Sequence, residues 1–152
     1  MNHPAAGDTI VEEIDIQAPA ERIFAALTSP QERVKWWGAE GRFRTTHAES
    51  DLRAGGKWLM RGIGLGGRPF TIQGVYRQVD RPRLLVFTWL PSWQDDPIET
   101  LVRFELVERD GVTTVRLTHS GLVTESSRAQ HRGWPDILAR LNSHIERSTG
   151  GP

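Results

Sequence analysis

The chain has 152 residues, no cysteine, and 19 basic against 19 acidic residues. That length suits one domain able to bury about 70% of its unfolded surface. The lack of thiols excludes disulfides and thiolate metal sites, and the balanced charge argues against a nucleic-acid partner, which needs a basic face. No apolar run approaches the roughly 20 residues of a membrane helix. "MNHPAAGDT" has neither the basic start nor the apolar run of a secretion signal. A soluble cytoplasmic domain with no membrane partner is expected.

Residues 1 to 8 are small and polar and read as a loose N-terminus, ahead of one domain over 9–147 and a flexible tail over 148–152. "TIVEEIDIQAP" puts Ile10, Ile14 and Ile16 on one side of a strand, a side that Glu12 keeps only partly apolar. "APAERIFAALTSP" predicts a helix from about Pro19, with Ile23, Phe24 and Leu27 at helical spacing. Pro30 stops it or starts a second short helix, "PQERVKWW". Six strands are then expected. They are a weak one around Phe43, "GKWLMRG" with Trp58 and Met60, and "PFTIQGVYRQV" with Phe70, Ile72, Gly74 and Tyr76. "RLLVFTWL" follows with Leu85, Phe87 and Trp89, then "ETLVRFELVE" with Val102, Phe104 and Leu106, and "TTVRLTH" with Val115, Leu117 and His119. Short links rich in glycine or proline, including the hairpin dipeptide Asp110-Gly111, make them an antiparallel meander. Beyond a turn of helix at "TESSRAQH", Trp134, Ile137, Leu138, Leu141 and Ile145 form one stripe of a long helix, with Pro135 either in its first turn or kinking it. The order is strand, two helices, about six strands, long helix. This α+β pattern needs the last helix to cover a curved sheet, and the space between them is the natural ligand site.

The chemistry-bearing groups are few. "GIGLGGR" lies between strands and lacks the Gly-Lys-Ser/Thr ending of a phosphate loop, so it reads as a hairpin or pocket-rim loop. His119 and Ser120 are neighbours on a strand and point to opposite faces, so they make no nucleophile pair. His119 shares the inward parity of Val115 and Leu117 and is the best candidate for a polar pocket group. His119 and His131, with no carboxylate at ligand spacing, make no metal site, and no cofactor is expected. Asp95 and Asp96 read as a solvated loop pair. Six tryptophans are spread along the chain. Trp58, Trp89, Trp93 and Trp134 come from different elements and are able to converge on one space, as a cavity wall or as a heavy core.

Trp36 and Trp37 pose a geometric question, because helical neighbours point about 100° apart and cannot both face one flat core. The stretches "APAERIFAALTSPQERVKWWG", "DLRAGGKW", "IQGVYRQVDRPRLLVFTW", "VRFELVERDGVTTVRLTHSGL" and "HRGWPDILARLNSHIE" resemble the Aha-type family, similar to the C-terminal part of the eukaryotic heat-shock ATPase activator. That family sits in the START-related, birch-pollen-allergen-like (SRPBCC) superfamily of helix-grip folds. The resemblance implies a cavity between the sheet and the C-terminal helix. One of Trp36 and Trp37 would then complete the core and the other border the cavity, the alternative being that both are core. The expected lining is Trp36, Trp37, Trp58, Tyr76, Phe87, Trp89, Phe104, His119, Trp134, Leu138 and Leu141.

The expected function is binding of a small hydrophobic or aromatic molecule. An enzyme of polyketide cyclase or hydrolase type in the same cavity ranks second, since no convincing catalytic set is visible. A chaperone regulator ranks third, because the eukaryotic activator uses an additional N-terminal domain. Outward apolar residues such as Leu101 and Val107 leave room for a homodimer.

Overall fold

The computed structural model describes residues 8–39, 41–92 and 98–149. Strand β1 (Ile10–Ile16) is followed by helices α1 (Ala20–Thr28) and α2 (Pro30–Trp36). Strands β2 (Gly38–Ala39), β3 (Phe43–Ser50), β4 (Lys57–Ile63), β5 (Pro69–Asp80), β6 (Leu84–Pro91), β7 (Thr100–Arg109) and β8 (Val112–Ser120) come next. Helices α3 (Glu125–Gln130) and α4 (Trp134–Thr149) close the chain. Seven strands stand between α2 and α3 where six were expected. The addition is β2, whose two residues pair with Phe43 and Arg44 and are too few to show any alternation. Asp95, Asp96 and Trp93 lie outside the described residues, as do residues 1 to 7 and 150 to 152.

Local chemistry explains the helix boundaries. Ser29 accepts a hydrogen bond from the Glu32 backbone N–H at 3.3 Å and so caps α2, with Pro30 at its first position. Thr124 caps α3 through the Ser127 N–H at 3.0 Å. Asp110 (φ 53°) and Gly111 (φ 82°) both take the left-handed conformation that a two-residue hairpin between β7 and β8 requires.

All eight strands form one antiparallel sheet in the order β1-β8-β7-β6-β5-β4-β3-β2. Each strand from β2 to β8 pairs with its sequence neighbour, and β1 returns to pair with β8 along Ile10–Ile16. Helix α4 touches both edge strands, β1 and β2, so the sheet curls around it. This is the helix-grip architecture. The α4 stripe Trp134, Ile137, Leu138, Leu141 and Ile145 is buried against the hollow face, with α1 and α2 bridging the open side. A half-buried Glu32–His144 contact of 2.8 Å joins α2 to α4. Burial pushes the Glu32 carboxyl up, and hydrogen bonds from Arg22 and His144 outweigh that and hold it below its ordinary value. Ile10 and Ile14 are only half-buried on β1, as Glu12 on the same side foretells. Among the described residues no helix is long and apolar enough to cross a membrane.

Candidate functional site

The tryptophan pair resolves through the end of α2. Trp36 is the last helical residue, and Trp37 is already extended at φ −72°, ψ 106°. The helical angle between neighbours therefore does not apply, and both rings face the interior. Trp36 donates its indole N–H to the Ala26 carbonyl at 2.9 Å. Trp37 stands 6.3 Å from Trp89, 6.0 Å from Trp134 and 6.4 Å from Phe104, centroid to centroid. Both rings belong to the core, and neither lines the open pocket at the end of the grip.

The middle of the grip is filled by rings. Trp58 meets Phe87 at 5.1 Å, Phe87 stacks on Phe104 at 6.1 Å, and Trp89 meets Trp134 at 5.3 Å. Tyr76 is fully buried, and its hydroxyl engages Arg33 and Ser50. Leu138 and Leu141 close the same layer from α4. Of the expected lining residues, Trp89 and Trp134 reach the open pocket. Trp36, Trp37, Trp58, Tyr76, Phe87, Phe104, His119, Leu138 and Leu141 are packed away from it.

That pocket lies at one end of the grip and has a volume of about 550 Å³. Its floor and inner wall are Ile72, Trp89, Trp134 and Ile137. Phe43 and Phe70, 5.5 Å apart edge to face, form the β3–β5 wall. Gly62 permits that wall, because a Cβ there would fall 2.5 Å from the Phe70 ring and from the Arg44 carbonyl. Gly64, Leu65 and Arg68, from the glycine-rich link around a single 3-10 turn (Leu65–Gly67), make the rim. Leu65 is 70% exposed there. Gln130 at the end of α3, with His131 and Gly133 between α3 and α4, completes the mouth beside Arg42. The volume and apolar lining match a small-molecule site, with two arginines at the edge to orient a polar end.

His119 lies behind the pocket wall and His131 at its mouth, and tryptophans hold both rings. Trp134 donates to Nδ1 of His119 at 3.1 Å, which places the ring proton on Nε2, 2.7 Å from the Thr100 hydroxyl. Trp89 donates to Nε2 of His131 at 3.0 Å, leaving its Nδ1–H to the Ser127 carbonyl at 2.7 Å. Burial pushes His119 well below the ordinary imidazole range, and His131, 4.7 Å away ring to ring, acts in the same direction. Burial lowers His131 as well, partly offset by the Ser127 bond. Both rings are neutral, with each lone pair already accepting an indole N–H, so neither offers a base to the pocket. His119 points inward as its parity requires, and its partners are structural.

Arg42, Arg68, Phe43, Phe70, Ile72 and Ile137 escaped the sequence reading as pocket residues. Phe70 and Ile72 were placed on an inward face, and the glycine-rich link was read as a rim. The signal was therefore present, without the curvature needed to localise it.

The sequence profile described as "Activator of Hsp90 ATPase homolog 1-like protein" matches residues 17–146. No curated protein matches the chain. A solved structure from Nitrosomonas europaea superposes with a TM-score of 0.82 at 16% identity, covering 97% of this chain and 99% of that one. An AHSA1 protein from Silicibacter pomeroyi superposes with a TM-score of 0.75 at 25% identity, over 92% and 99% of the two chains. DynU16, a protein of the dynemicin biosynthetic locus, has a TM-score of 0.75 at 23% identity, with 95% of this chain spanning 49% of that one.

Proposed function

The chain belongs to the family of Activator of Hsp90 ATPase homolog 1-like proteins, and from that premise we propose that it binds a small apolar or aromatic molecule in the pocket at the end of the grip. The observation that carries this reading is the pocket of about 550 Å³ itself, walled by Phe43, Phe70, Trp89 and Trp134. Flat rings stack on such walls, and Arg42 and Arg68 at the edge engage a polar substituent. Binding ranks ahead of catalysis, because His119 and His131 spend their ring nitrogens on Trp134, Thr100, Trp89 and Ser127.

Trp89 and Trp134 are built-in reporters. Titration with 2-naphthol, decanoate and an anthraquinone is expected to change tryptophan emission saturably for at least one of them. Absence of any saturable change across flat aromatics and alkyl chains defeats the reading.

A further inference from the structure

Arg33 on α2 is a charged side chain at the centre of the fold, only 1% exposed. Its Nε donates to the Leu27 carbonyl at 2.7 Å, and one terminal nitrogen, Nη2, donates to the Tyr76 hydroxyl at 3.1 Å. The Tyr76 hydroxyl shares a second hydrogen bond with the Ser50 hydroxyl, 2.6 Å away, in which either oxygen can be the donor. The other terminal nitrogen, Nη1, has no partner among the described residues. The guanidinium carbon lies 5.6 Å from the ring centroids of both Trp37 and Trp58. The indole N–H groups of those two rings are also buried, with no acceptor among the described residues. One donor of the cation itself and the indole N–H groups of the two rings beside it thus lack acceptors among the described residues, and Trp37 and Trp58 are each 2% exposed.

A guanidinium does not shed its proton in a protein, so the charge stays. No ion pair among the described residues includes Arg33. Its sequence neighbour Glu32 is engaged by Arg22 and His144, each at 2.8 Å. The ring faces of Trp37 and Trp58 offset part of the charge, but their N–H groups are donors and supply no acceptor. Buried donors are paired in native proteins almost without exception, and buried charges are compensated.

We infer that Arg33, Trp37 and Trp58 form an internal site for a small anion, a carboxylate or a halide. Its negative charge answers Arg33, and its lone pairs answer Nη1 and the two indole N–H groups. Trp89 stands 6.3 Å from Trp37 and 5.9 Å from Trp58 and also lines the open pocket, so the site lies one ring behind the pocket wall. Two sources supply the same chemistry, a free anion or the carboxylate end of a molecule entering past Trp89.

The test exchanges the full chain into sodium HEPES free of halide and carboxylate. Formate is then titrated at constant ionic strength, with tryptophan emission and the unfolding midpoint as readouts. The expected result is a saturable emission change and a rising midpoint, both lost in Arg33→Met. Trp37→Phe and Trp58→Phe keep the cation and the ring and weaken formate binding about tenfold each; they carry the test if Arg33→Met does not fold. If decanoate rather than formate gives the response that these variants weaken, the site stands and its anion arrives on a longer ligand. If formate gives no response and decanoate binds equally to wild type and variants, the anion site is overturned while the pocket reading survives. A formate response with no binding of 2-naphthol or anthraquinone has the opposite meaning.

Discussion

Acidification from pH 7.5 to pH 5.0 is expected to destabilise the fold through His119 and His131. In the folded chain each imidazole lone pair is occupied by an indole N–H, at 3.1 Å for His119 and 3.0 Å for His131. A proton added there would set two N–H groups against each other, and a second would place two cations 4.7 Å apart. Burial lowers both folded-state values, that of His119 well below the ordinary one. In the unfolded chain both rings titrate near pH 6.5. The unfolded state therefore binds more protons below that point. The stabilisation is complete above about pH 6.5 and is lost as pH falls toward the folded-state values. One histidine that stays neutral costs about 1.4 kcal/mol per pH unit, or about 2 kcal/mol between pH 6.5 and 5.0. Two such groups cost at most about 4 kcal/mol, with His119 contributing the larger share. Urea unfolding at half-unit pH steps measures this directly. His119→Gln removes the titrating group, so the difference between wild type and variant isolates it from the carboxylates. A wild-type stability that is flat from pH 7.5 to 5.0, or an identical pH slope in His119→Gln, refutes the neutral-histidine assignment.

Two further substitutions probe the frame that holds the pocket. Gly74→Ala should cost about 3 kcal/mol or prevent folding, because its Cβ would lie 1.9 Å from the Thr88 carbonyl oxygen across the β5–β6 ladder; a urea midpoint like that of wild type would contradict the close approach. Leu141→Ala empties a fully buried position under α4 and should cost about 3 kcal/mol in the same assay, whereas a loss under 1 kcal/mol would mean the α4 stripe is not tightly packed.

Much of this architecture was legible in the residues. The α4 stripe from Trp134 to Ile145 and the alternation along β4 to β8 each had a clear period, and a period survives packing. The site was harder to read. Trp36 and Trp37 looked incompatible with one core only while both were counted as helical, and the break at Trp37 removes the conflict. Trp58, Phe87 and Phe104 were placed on the right face, but whether their rings meet or leave a void depends on volumes summed over several elements. Here they meet, and the open volume shifts to the end where Phe43, Phe70 and the 62–68 link lie. Arg33 passed unnoticed as one charge on a polar helix. Its i, i+3 relation to the buried Trp36 was the available clue.

Gly133 offers the most direct test of the pocket. It lines the mouth, and a Cβ there would meet only Arg42 Nη1, at 3.9 Å. Gly133→Phe should therefore fill the opening without disturbing the fold. Calorimetric titration of 2-naphthol and decanoate into wild type and Gly133→Phe is predicted to give saturable binding in the first and at least about tenfold weaker binding in the second, at an unchanged unfolding midpoint. Equal affinity in the two proteins, or no binding to wild type, would contradict a ligand site at this end of the grip.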